Sequence, residues 1–136
     1  MAVFQRSSSA AVRSRIREFV KTFGGEPPTP EDNRVRLEFL LKARGELAAG
    51  NGDILRLLAP SAAADALADP DRIAAYAESL AAEAMISDAA GEHERADAIR
   101  RHAVAVALEA QQRAIVQDAE IAQLIGRNGR LREPDL

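Results

Sequence analysis

Apolar residues in this chain recur at spacings of three and four, in runs separated by short clusters of glycine, proline, asparagine and aspartate. The first run, about residues 10 to 23, sets Val12, Ile16, Phe19, Val20 and Phe23 along one face and Arg13, Arg17 and Lys21 along another, which predicts an amphipathic helix. Ser9 stands where a cap would start it, and Gly24-Gly25 ends it. Residues 24–29 contain Pro27 and Pro28 and read as a linker. Thr29-Pro30, followed by Glu31 and Asp32, is a second start signal: a capping hydroxyl, a proline whose missing N–H is not needed there, and acids at the positive end of the helix dipole. That helix is expected to reach about residue 49, with Leu37, Leu40, Leu41 and Leu47 buried, Phe39 on the flank, and Gly50-Asn51-Gly52 as its stop.

Two short apolar pieces come next, the first capped by Asp53 and stopped at Pro60, the second running to Ala68. They read as connectors whose Leu55, Leu58 and Leu67 plug the end of the core. Asp69-Pro70-Asp71 repeats the cap-then-proline signal and opens a helix in which Ile73, Tyr76, Ala77, Leu80, Ala81, Ala84 and Met85 form an unbroken stripe as far as Ala90-Gly91. The last pattern spans 92–125. As one helix it would be about 50 Å long, more than a small domain covers. It either breaks around Gln111-Gln112-Arg113, or its second half, with Ile115, Val116, Ile121, Leu124 and Ile125, packs on another chain or folds back. Residues 1–126 then form one helical domain, and 127–136 a flexible tail.

Composition supports this layout. Alanine is about a fifth of the 136 residues and aromatics are 4%, a balance that favours closely packed helices and starves strands of the side chains they need. The expected fold is all-α, a small bundle of four to five helices. The absence of cysteine excludes disulfides, thiolate nucleophiles and Cys-ligated metal within this sequence. No apolar run reaches the roughly 18 residues of a membrane span, and the start has no secretory signal pattern, so the expected location is cytoplasmic. A net charge of −3 gives the chain as a whole no attraction to nucleic acid. The first segment is the exception, with Arg6, Arg13, Arg15, Arg17 and Lys21 against Glu18 and Glu26.

The string Ala89-Ala90-Gly91-Glu92-His93-Glu94-Arg95-Ala96 resembles the turn of a tetratricopeptide unit. With Gly91 as the turn glycine, Ala84, Ala96 and Ala103 fall on the three positions such a unit keeps small, while Leu80, Ser87 and Arg100 stand where the family prefers tryptophan, tyrosine and phenylalanine, and no proline closes the unit. Taken with the preceding segments, the chain is similar to a small bacterial family of uncharacterised tetratricopeptide-like helical proteins. The resemblance implies a TPR-like hairpin that serves as a scaffold for protein contacts and no known activity. One unit alone does not build the concave groove of a repeat array.

Candidate chemistry is sparse. His93 and His102 are nine residues apart, too far around a helix to chelate one metal, and the Glu-x-x-His pattern of di-iron bundles does not occur. Glu83 borders the apolar stripe and is expected to form a structural ion pair with Arg100 or Arg101 across the hairpin. Ser7-Ser8-Ser9 has no histidine beside it, and neither glycine cluster follows a strand to cradle phosphate. No catalytic residue, metal or cofactor is expected. The basic first helix resembles a mitochondrial presequence and also suits an anionic surface. A core helix with a solvated arginine face is the simpler reading, because Ile16, Phe19, Val20 and Phe23 are needed to cover an alanine-rich core.

These features predict a non-enzymatic interaction or scaffold module whose partner is a protein or a second copy of itself, in the simplest case as a dimer. The candidate surface combines Arg13, Arg17 and Lys21 with Ile115, Ile121 and Leu124. The alternative is a regulatory module that holds anionic lipid or nucleic acid through the three cations, against which the net negative charge argues for both nucleic acid and membrane.

Overall fold

The computed structural model describes residues 2–48 and 52–129, with side chains from Ser9 onward in the first helix. Among the described residues there are seven α-helices and no strand: α1 (Ala2–Val20), α2 (Pro30–Leu47), α3 (Gly52–Leu55), α4 (Pro60–Leu67), α5 (Pro70–Ala89), α6 (His93–Arg113) and α7 (Ala119–Gly129), with a 3-10 turn at Lys21–Phe23. The helical class is as expected. The count exceeds four to five because the connector pieces are helical in their own right and the last pattern divides in two.

The start signals behave as their chemistry dictates. Thr29 and Asp32 form a reciprocal capping box: the Asp32 N–H donates to Thr29 Oγ1 at 3.1 Å, and the Thr29 N–H donates to Asp32 at 2.9 Å. Asp69 caps α5 by accepting from the Asp71 N–H at 2.9 Å. Ser9 is not a cap. It lies inside α1 and is buried, because nothing between Ala2 and Ser9 breaks a helix. Pro60 opens α4 at its first position instead of only stopping the piece before it. Gly50 and Asn51, read as the stop of α2, lie outside the described residues, as do residues 130–136 of the expected tail; the tail's first three residues belong to α7.

α5 is the axis of the fold, and α1, α2, α4, α6 and α7 all pack on it. Five consecutive residues, Ile73 to Ala77, are buried, so the helix is enclosed on several sides and not along a single stripe. Alanine makes this enclosure geometrically feasible. Ala84 on α5 and Ala96 and Ala103 on α6 are all fully buried, and the two helices form a hairpin turned at Gly91, whose φ of +81° suits a residue without a Cβ. Met85, assigned to the stripe, is exposed.

In α2 the buried set is Leu40, Ala43, Arg44 and Leu47, while Leu41 is exposed. The helix turns Arg44 inward at the spacing that Leu40 and Leu47 define. Phe39 stacks on Phe19 of α1 with ring centres 4.0 Å apart, tying the middle of α2 to the end of α1. α3 closes tightly on α2: a Cβ added at Gly52 would lie 2.8 Å from the Gly45 nitrogen, so only glycine permits the approach. Leu55 and Leu67 are buried and Leu58 partly so, sealing the end of the core.

The long final pattern breaks at residues 114–118 and α7 folds back on α5 and α6. Ile121 and Leu124, expected on an interaction surface, are instead 0% and 2% exposed inside this chain. Ile115 stays outside, fully exposed. Replacement of Ile121 by Ala is therefore expected to cost about 2–4 kcal/mol in urea unfolding, and Ile115→Ala less than about 0.5 kcal/mol; similar losses would mean that α7 is not docked.

Between α4 and α5 the backbone makes a tight γ-turn. Ala68 has φ +67° and ψ −49°, and the Asp69 N–H donates to the Leu67 carbonyl at 2.7 Å. A side chain is disfavoured there, so Ala68→Gly is expected to raise unfolding stability by about 1 kcal/mol; a loss of stability in the same assay would show the turn is not strained.

Candidate functional site

Two carboxylates on α5, Glu78 and Glu83, face helices that pack on it and gather most of the buried charge of the molecule. Glu78 meets α1. Arg13 Nε donates to Glu78 Oε2 at 2.5 Å, and Arg17 Nε donates to Glu78 Oε1 at 3.1 Å. The same arginines continue to α7: Arg13 Nη2 lies 2.8 Å from Asp118, and Arg17 Nη2 lies 2.6 Å from Glu120. Asp118 is also the cap of α7, its Oδ1 accepting from the N–H groups of Glu120 and Ile121 at 3.1 Å each. Burial opposes the Asp118 charge, but those N–H groups and Arg13 prevail and hold its carboxyl below the usual range.

Arg13 is thus an internal strut, 8% exposed, and not the solvated cation expected. Arg17 is engaged beside it, and Lys21 pairs with Glu18 at 2.8 Å on the surface. The spacing of the arginines was legible in sequence; their acids, about 60 to 105 residues downstream, were not. Between α1, α5 and α7, Arg17, Lys21, Glu78 and Glu120 rim a shallow groove of about 270 Å³ lined also by Ile16, Val20, Ala82 and Leu124.

Glu83 meets the opposite side. It was expected to face Arg100 or Arg101, but Arg100 is taken by Asp88 and Asp97 on its own hairpin. The partner of Glu83 is Arg44 of α2, with Nη2 donating at 2.6 Å, and Arg56, just after α3, donates to the same oxygen at 2.8 Å. Arg95 of α6 stands 3.7 Å from the second oxygen. Burial works against the Glu83 charge, yet Arg44 and Arg56 outweigh it and its pKa falls below the ordinary value. Arg44 is 1% exposed; its Nε donates to Ser79 Oγ at 2.9 Å, and its guanidinium carbon lies 5.8 Å from the Tyr76 ring centre. His102 of α6 meets Tyr76 edge-on, ring centres 6.4 Å apart. Arg44, Tyr76, Ser79 and Glu83 are buried together with His102 half-buried beside them, and an arginine in the core phase of α2 is the one visible sign of this constellation in the sequence.

His93 pairs with Asp88 at 2.8 Å at the hairpin turn, away from His102. Among the described residues no cluster of three or more His, Asp or Glu side chains is arranged to hold a metal ion, and no helix is long and apolar enough to cross a membrane. Among the described residues the connection at 114–118 carries two strongly exposed apolar side chains in sequence, Ile115 at 100% and Val116 at 78%, while Leu57, at 84%, lies elsewhere. Arg113, pairing with Asp65 at 2.8 Å, holds one end and the Asp118 cap the other. No family model, curated protein or solved structure matches the chain.

Burial, and then the charges of Arg56 and Arg44, hold the His102 pKa below its usual value. Its folded-state pKa is therefore lower than in the unfolded chain, and on acidification the unfolded chain takes up the proton first. Stability contributed by neutral His102 is complete above about pH 6.5 and is lost as pH falls through the folded value. The thermal midpoint is expected to drop between about pH 7 and pH 5, and to drop less in His102→Gln, which stays neutral. Equal slopes for the two proteins would remove His102 from this role.

Proposed function

We propose that the chain is a non-enzymatic helical contact module that works in the cytoplasm and associates with a second copy of itself through the tip between α6 and α7. The observation that supports this is the Ile115–Val116 pair, two β-branched side chains turned to solvent on a connection anchored at both ends. Burial of such side chains is favourable by about 1.5–3 kcal/mol each, and within the chain Ile115 has no cover at all. A protruding patch that meets its own copy across a two-fold axis doubles each apolar contact. In this reading the α5–α6 hairpin, with Ala84, Ala96 and Ala103 at its interior, is the scaffold, in the manner of a tetratricopeptide unit, and the tip is what it presents. The contact is small against the roughly 1,600 Å² of a standard interface, so the association is weak and concentration-dependent.

The alternative use of Arg13, Arg17 and Lys21 for anionic lipid or nucleic acid has less to draw on, since each of the three is paired with a carboxylate of this chain. Sedimentation equilibrium decides the matter. The mass of the wild type is expected to rise above the 14.6 kDa of one chain between about 10 µM and 1 mM, and the Ile115→Ser/Val116→Ser protein to remain at one chain throughout. A wild-type mass of one chain at every concentration, or a rise unaffected by the double substitution, overturns the proposal.

A further inference from the structure

The interior between α2, α5 and α6 leaves polar atoms without partners on three adjoining side chains. Arg44 Nη1, Tyr76 Oη and His102 Nε2 are all buried and have no hydrogen-bond partner in the protein. Arg44 and Tyr76 are 1% and 0% exposed, and the side chains neighbour one another through the 5.8 Å Arg44–Tyr76 and 6.4 Å Tyr76–His102 contacts. Buried polar atoms are rarely left unsatisfied in native proteins, and three orphans in one neighbourhood point to an occupant.

The chemistry of the three atoms defines that occupant. Arg44 Nη1 only donates, the Tyr76 hydroxyl can donate, and the His102 ring carries an N–H on whichever nitrogen its surroundings select. All three can therefore donate at once. The surrounding charge is also positive: Arg44 and Arg56 share Glu83, with Arg95 beyond it, and the charges acting on both Tyr76 and His102 are those of Arg44, Arg56 and Glu83. Two cations against one anion leave this neighbourhood one unit positive. A trapped water would satisfy hydrogen bonds and leave this surplus untouched; a small anion satisfies both.

We propose that Arg44, Tyr76 and His102 form a binding site for a small monovalent anion, of halide or simple carboxylate chemistry, enclosed between α2, α5 and α6. Arg44, held by Ser79 and Glu83, supplies fixed charge and a donor. Tyr76 and His102 supply the remaining donors. Arg56, with its side chain 33% exposed, and the exposed Arg95 stand on the solvent side, where the approaching anion meets positive charge first.

The test measures thermal unfolding with chloride or formate added at constant ionic strength, gluconate being the bulky balancing anion. A ligand that binds only the folded chain raises the midpoint, here by on the order of 4 °C for each tenfold excess over its dissociation constant. The rise is expected for wild type and is expected to be lost in Tyr76→Phe, which keeps every charge and the ring but removes one donor. Excess broadening of the chloride-35 resonance by wild-type protein is a direct readout that needs no variant. A response to one anion and not the other identifies halide or carboxylate as the ligand. Equal midpoint shifts in wild type and Tyr76→Phe, meaning a general salt effect, overturn the proposal. So does the absence of both a midpoint shift and broadening, which leaves internal water as the sole occupant.

Discussion

The fold depends on one constraint: α5 must be enclosed on nearly every side while carrying Glu78 and Glu83 on sides that are covered. A carboxylate taken from water without a partner costs far more than an apolar contact returns, so each must meet a cation that comes in with the covering helix. α1 brings Arg13 and Arg17 to Glu78, and α2 with the turn after α3 brings Arg44 and Arg56 to Glu83. The covering helices are thereby fixed along α5 at the heights of the two acids. Apolar packing alone would fix them less well, because the facing surfaces are largely alanine and a smooth surface tolerates sliding.

Alanine also explains why so few large side chains matter so much. It allows α5 and α6 to approach closely, but each alanine buries little area. The bulk of the core falls to Val12 and Ile16 from α1, Leu40 from α2, Tyr76 and Leu80 from α5, and Ile121 and Leu124 from α7. α7 is thus a structural lid over an axis otherwise short of cover. Its two buried side chains account for the apolar excess that the long final pattern carries, so they cease to be an argument for association. Ile115 and Val116, at least five residues upstream, inherit it.

What sequence made legible follows from the range of each interaction. The Thr29 and Asp69 caps, the proline starts and the Gly91 turn are encoded within a few residues, and all stand where the spacing predicts. The final pattern allows a break, a fold-back or packing on another chain, and the structure combines the first two, a break after Arg113 and a fold-back. Failures lie where a distant residue decides. Arg44 occupies a core phase on α2, yet only the position of Glu83, 39 residues away, shows why a buried guanidinium is tolerated there. Ser9 looks like a cap locally and is interior because α1 starts earlier. Ile121 and Ile115 are the same residue type six positions apart, and only the bend at 114–118 separates buried from exposed.

The two acids of α5 differ in how their charge is closed, and this separates scaffold from site. Around Glu78 the arginines are shared with Asp118 and Glu120, and with Asp71 at 3.6 Å, so cation and anion alternate until the network reaches water. Two arginines there face four carboxylates, so the network leaves no positive charge over for an anion. Around Glu83 three arginines converge on one carboxylate, two of them on a single oxygen, and the neighbouring groups are a tyrosine, a serine and a histidine. A structural ion pair needs one arginine. The excess on this side has no packing role that a leucine would not fill at lower desolvation cost, and Arg44 and Tyr76, side by side, each leave a buried polar atom without a partner. Among the described residues, surplus positive charge and neighbouring unpartnered polar atoms coincide beside Glu83, which makes that side the chemically unfinished part of the molecule.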